Sequence, residues 1–98
     1  MEYRVQILID GKVVYSNVLV GERPKYVIRS LYKELSKYKY SVILILNENG
    51  MVWSYYSKVK NGKVLTSRKT KEPMIAKDKD KMWMALSGNI PIHKLEVT

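Results

Sequence analysis

Lys25, Arg29, Lys33 and Lys37 recur at intervals of four residues, a spacing that sets them along one side of an α-helix about 6 Å apart on its axis. Cations held in such a ridge are placed to contact the phosphates of a polyanion. The ridge has a cost, because like charges four apart repel by about 0.2 to 0.5 kcal/mol a pair, and Arg23 and Lys25 at the helix start oppose the macrodipole. A helix selected for stability alone would carry Glu there. The functional expectation is an anion site at the helix N-terminus, made with Arg23 and Lys25 and continued by the ridge. The plainer expectation is a solvated face in a Lys-rich protein, where a penalty near 1 kcal/mol is easily absorbed.

A second basic group, Lys58, Lys60, Lys63, Arg68 and Lys69, flanks Asn61-Gly62. Asn-Gly supplies the two positive φ angles of a type I′ turn, and a two-residue loop fixes the register. Lys60 then opposes Lys63, Lys58 opposes Leu65, Tyr56 opposes Ser67 and Ser54 opposes Lys69. One face gathers Ser54, Tyr56, Lys58, Lys60, Lys63 and Lys69; the other gathers Trp53, Tyr55, Val59 and Val64, with Arg68 opposite Tyr55. Tyr56 is the exposed aromatic, placed to stack on a base. The same two-residue rule at Asn49-Gly50 puts Trp53 beside Leu46 and Tyr55 beside Leu44, with Trp53 in the core. Ile43, Ile45 and Val52 then fall near Tyr56. That patch, or Trp53 if the helix covers the opposite side, is the candidate surface for a dimer or partner.

These groups need elements to hold them. Asp10-Gly11, Asn49-Gly50 and Asn61-Gly62 separate β-rich runs, Tyr3 to Ile9 from Val13 to Val20, Tyr40 to Asn47 from Met51 to Lys60, and the latter from Val64 to Thr70. Pro24 to Tyr38 has apolar residues at 27, 28, 31, 32, 35 and 38, one face of a helix that Pro24 starts well. Val42 to Leu46 is apolar throughout and predicts a central strand covered on both sides. Further on, Asp78 or Asp80 can cap a short helix through Leu86 that stops at Gly88, and Ile90 to Val97 can form an edge strand. The expected fold is α+β, one domain over residues 1–98: a mainly antiparallel sheet of five or six strands in the order ββα-βββ-(α)-β, with one amphipathic helix packed on one face.

Several chemistries lack their residues. With no cysteine, and His93 the single histidine, neither a disulfide nor a zinc site nor a two-histidine nuclease metal site can be built, so no metal and no cofactor are expected. Asp78 and Asp80 lie among Lys77, Lys79 and Lys81, a solvated run rather than a cation site. The glycines at 11, 21, 50, 62 and 88 fit turns and caps, not a phosphate loop. A metal-free ribonuclease using Tyr, Lys and Arg is the remaining catalytic reading. The chain resembles the small RelE-like toxins in size and charge, though they carry a helical pair near the start where this sequence has a hairpin. The segment Tyr55 to Lys63 is similar to the basic hairpins of the DNA-reading sheets of phage-type integrases, and no residue roles are carried over from it.

Bulk composition bounds the rest. The chain has 98 residues, 46% of them hydrophobic, and a net charge of +9, which predicts one folded core with a strongly basic surface. Twelve of the eighteen Lys and Arg lie in residues 23–71 against Glu34 and Glu48, so the excess sits in the middle of the chain. No apolar run approaches the ~18 to 20 residues of a spanning helix, and the start lacks a signal-peptide layout, from which an intracellular, cytoplasmic protein without a membrane role is expected. Eight Tyr and no Phe, with 14 Lys, is similar to the usage of small proteins of hyperthermophilic archaea and their viruses. The leading expectation is a non-catalytic nucleic-acid-binding protein, DNA or RNA undetermined. The alternative is a homodimeric structural or protein-interaction module with no nucleic-acid role.

Overall fold

The computed structural model describes residues 1–69 and 71–87, the side chains of 86 and 87 excepted. Within them the chain forms an antiparallel sheet with short helices: β1 (Glu2–Ile9), β2 (Lys12–Val20), α1 (Pro24–Ser30), α2 (Tyr32–Leu35), β3 (Tyr40–Asn47), β4 (Met51–Lys60), β5 (Lys63–Arg68), β6 (Met74–Ile75) and α3 (Lys79–Ser87). The order across the sheet is β2-β1-β3-β4-β5, and β6 pairs with the start of β4. The strand expected over Ile90 to Val97, together with His93, lies outside the described residues.

Two of the three hairpins form as their dipeptides require. Asp10 and Gly11 take φ of 50° and 77°, and Asn61 and Gly62 take 53° and 75°, the paired left-handed conformations of type I′ turns. The third differs: at Asn49-Gly50 the positive φ belongs to Gly50 alone. Asn47 is the reason. Its Oδ1 accepts from the Asn49 and Met51 N–H groups at 3.0 and 2.9 Å, while its carbonyl accepts from Gly50 N–H at 3.2 Å. The result is a type I turn with Asn47 first and the left-handed Gly50 fourth, in a three-residue loop.

That extra residue shifts the register by one, and a shift of one changes which residues share a face. Trp53 pairs with Ile45 and Tyr55 with Ile43, not with Leu46 and Leu44, while Tyr56 pairs with Val42. Ile43 and Ile45 therefore lie on the Trp53 side. They cluster there with Tyr3, Val5 and Ile7 of β1 and with Val27, Ile28, Leu31 and Leu35 of the helical segment. On the other side, Leu8, Leu44, Leu46 and Val52 pack with Ala76, just after β6, and with Met82 of α3. β3 is thus covered on both sides, as its unbroken apolar run predicts.

The segment predicted as one helix from Pro24 to Tyr38 is two short ones. The Ser30 hydroxyl donates to the Val27 carbonyl at 2.6 Å, and Leu31 N–H turns to Ile28 O at 3.0 Å in a 3₁₀ step. Ser36 repeats the device, donating to Lys33 O at 2.7 Å where α2 ends. At the far end of the chain, Asp78 Oδ1 accepts from Lys81 N–H at 3.0 Å and caps α3. Trp83 of α3 lies under the Arg4 guanidinium of β1, 4.2 Å from its centroid.

Candidate functional site

The break at Leu31 divides the cationic ridge. Lys25 and Arg29 of α1 lean toward β5, where they line a cleft of about 310 Å³ with Tyr32, Tyr55, Thr66 and Arg68. Lys37, beyond the break, lines a different and larger groove of about 950 Å³. Lys33 lines neither cavity and is exposed. A 3₁₀ step advances by about 120° rather than 100° per residue, so spacing by four no longer keeps one line. The expected anion site at the helix start is also weaker than the sequence implies. α1 has seven residues, and Arg23 at its N-cap makes no side-chain cap bond.

The larger groove is built from three successive rows across β3, β4 and β5. The strand registers set Tyr40, Lys58 and Leu65 in one row, Ser41, Ser57 and Thr66 in the next, and Val42, Tyr56 and Ser67 in the third, and all nine line the groove. Leu8 to Asp10 close one end, and Lys37, Tyr38 and Lys39 form a rim. Thr66 lines both cavities. Tyr55 and Arg68 alternate with Tyr56 and Lys58 and project from the opposite face of the hairpin, so the two cavities lie on either side of the edge strand β5, with Lys25, Arg29 and Arg68 at the smaller and Lys37, Lys39 and Lys58 at the larger.

The register expected around Asn61-Gly62 holds: Lys60 opposes Lys63, Lys58 opposes Leu65, Tyr56 opposes Ser67 and Tyr55 opposes Arg68, and Ser54 O accepts from Lys69 N–H at 2.9 Å. Lys60 and Lys63 are exposed at the hairpin tip. Lys69 stands over the Tyr56 ring at 5.0 Å, and Lys39 stands over Tyr40 at 5.7 Å. Tyr56 and Tyr40 are 50% and 65% exposed, which leaves much of both rings open to solvent.

The residues expected to offer an apolar partner surface are placed otherwise. Ile43, Ile45 and Val52 are fully buried within the chain. Trp53 is half-buried against the first core and meets Tyr3 edge-on, centroids 6.1 Å apart. The one-residue shift at Asn47 accounts for the first two, and β6 with α3 accounts for Val52.

Electrostatics around the cavities favour free cations. Of the eleven proposed basic and aromatic contacts, only Lys37 is ion-paired to a carboxylate among the described residues, Glu34 Oε2 at 3.0 Å. The hydrogen bond and charge of Glu34 raise the Lys37 pKa above the ordinary lysine value. Burial pushes the Tyr55 hydroxyl up, opposed by the nearby Arg68 charge. Burial also raises Tyr3, with Tyr55 adding to it. Tyr55 therefore stays a neutral hydroxyl beside Arg68.

Lys39, Tyr40 and Leu65 are groove residues that sequence reasoning missed. In the two-residue register Tyr40 falls on the opposite face from Lys58; with Asn47 read as the first residue of a type I turn, it falls directly across from Lys58. Among the described residues, no three His, Cys, Asp or Glu side chains come together as a metal site. No helix in them is long and apolar enough to cross a membrane. No protein-family model, curated protein or solved structure matches the chain.

Proposed function

We propose that this is a nucleic-acid-binding protein that acts without catalysis, metal or cofactor, its phosphate contacts made by the cations around the two cavities. The observation that carries this reading is that each cavity gathers cations from residues 24–39 and from the β4–β5 hairpin. Lys25 and Arg29 line the smaller one with Arg68, and Lys37 and Lys39 line the larger one with Lys58. Like charges gathered in a concavity repel one another, with Lys37 alone among them offset by a carboxylate in the described residues, whereas a polyanion bound there is attracted to each of them. Arg23, Lys33, Lys60, Lys63 and Lys69 surround the cavities in sequence and add to the long-range field in this reading.

The test is an affinity titration from 50 to 300 mM salt with duplex and single-stranded oligonucleotides. About six phosphate contacts give a log–log slope near −5 on duplex DNA and near −4 on a single strand. Arg29→Glu and Arg68→Glu, both exposed positions, should each weaken binding and flatten the slope by about 1 or more. Absence of affinity for either form at 50 mM salt would refute the reading.

A further inference from the structure

We infer that the groove over β3, β4 and β5 selects single-stranded nucleic acid, with bases stacked on Tyr56 and Tyr40. This rests on the nucleic-acid reading and adds to it the form of the ligand. Tyr40 stands across from Lys58, and Tyr56 is two residues before Lys58 on β4, which makes the two tyrosines diagonal neighbours on one face, about 7 to 8 Å apart at the backbone. Exposed aromatics at such positions give nothing to the core. They offer flat π surfaces to a ligand.

Each ring comes with its own cation, Lys69 over Tyr56 and Lys39 over Tyr40. A base that stacks on the ring brings its phosphate within reach of that ammonium group, so stacking and charge pairing are satisfied by one nucleotide. Leu8, Val42 and Leu65 supply apolar lining, and Lys58 adds further charge. The volume, about 950 Å³, lies near the top of the ~300 to 1,000 Å³ range of small-molecule sites and holds more than one base.

A duplex cannot use these features, because its bases already stack on one another and present only their edges. It could engage the cations alone. Selectivity for single strands therefore comes from the tyrosines, and it is indifferent to sequence because every base has a π face.

The experiment compares fluorescein-labelled oligo(dT) and oligo(U) of about 12 nucleotides, a length within the usual span of single-strand sites, with a mixed-sequence duplex of equal length. The parent protein should bind one or both single strands more tightly than the duplex. Tyr56→Ala and Tyr40→Ala should each lower single-strand affinity about 5- to 100-fold, the loss of one base–aromatic stack, and leave duplex affinity unchanged. Tyr56→Phe should bind as the parent does, and far-ultraviolet circular dichroism checks that each variant is folded.

Alanine variants that bind single strands as tightly as the parent overturn the inference, as does a parent that prefers the duplex. In either case, continued weakening of duplex binding by Arg29→Glu leaves the broader reading standing; no binding to any oligonucleotide removes both. Polyglutamate competing as well as the oligonucleotides would assign the groove to an acidic protein and also overturn the inference.

Discussion

Gly50 and Gly62 both sit in turns with left-handed backbone, φ +80° and +75°, but they differ in what surrounds them. A Cβ at Gly62 would meet nothing, whereas one at Gly50 would lie 2.9 Å from Lys79 Cβ, because α3 starts directly over the β3–β4 turn. Ala76 N–H also donates to Gly50 O at 2.8 Å, tying the same turn to β6. Gly62→Ala should therefore cost about 1 to 2 kcal/mol, the strain of a left-handed alanine. Gly50→Ala should add an overpacking cost of about 1 to 3 kcal/mol. Urea unfolding with an unchanged m-value measures both; equal losses at the two positions would show that α3 does not press on the turn. The importance of Gly50 was legible in part. Asn47-Glu48-Asn49-Gly50 has Asn first and Gly fourth, the signature of a type I turn, but it also contains the Asn-Gly dipeptide of a type I′ turn. The competition was decided by Asn47, whose buried amide oxygen satisfies two backbone N–H groups.

At the level of elements, hairpins were the most legible feature and helix continuity the least. Alternation and turn residues are local, so β1 to β5 could be bounded closely from sequence. Apolar spacing over Pro24 to Tyr38 marked six residues as one face, of which Val27, Ile28, Leu31 and Leu35 are buried, Tyr38 is half-buried and Tyr32 is exposed. It carried no information on whether Ser30 would bond back to its own turn. β6 has only two residues, too few for any period to show. The attachment of α3 was equally hidden, because it depends on Arg4 and Trp83, far apart in sequence. Their contact at 4.2 Å predicts a coupling energy of about 0.5 to 2 kcal/mol in a double-mutant cycle of Arg4→Met and Trp83→Leu. Additive losses in thermal or denaturant unfolding would mean that α3 is held by Met82 and Ala85 alone.

On the scale of the whole molecule, charge dominates. A net charge of +9 on 98 residues opposes compaction through self-repulsion, and salt screens it, the Debye length falling from about 30 Å at 0.01 M to 8 Å at 0.15 M. Stability should therefore rise with salt over the same range in which oligonucleotide affinity falls. Each 1 kcal/mol recovered appears as about 4 to 8 °C in Tm for a domain of this size. A Tm that is flat or falls between 10 and 150 mM NaCl would show that the cations are already neutralised within the fold. The segregation of charge into residues 23–71 was plain from sequence, but the meeting of Lys25 and Arg29 with Arg68 was not. It depends on which face of the sheet the helical segment covers, and that depends on the register at Asn47. The strand order carries one more consequence, for how the chain assembles. β1–β2, β3–β4 and β4–β5 are all hairpins that can zip from their own turns, while the β1–β3 seam, from Leu8↔Val42 to Tyr3↔Asn47, must wait for the intervening chain to close as a loop. Closing that loop precedes the burial of Val5, Ile7, Ile43 and Ile45 that rewards it, so the slow event in folding belongs to the middle of the sheet and not to its turns.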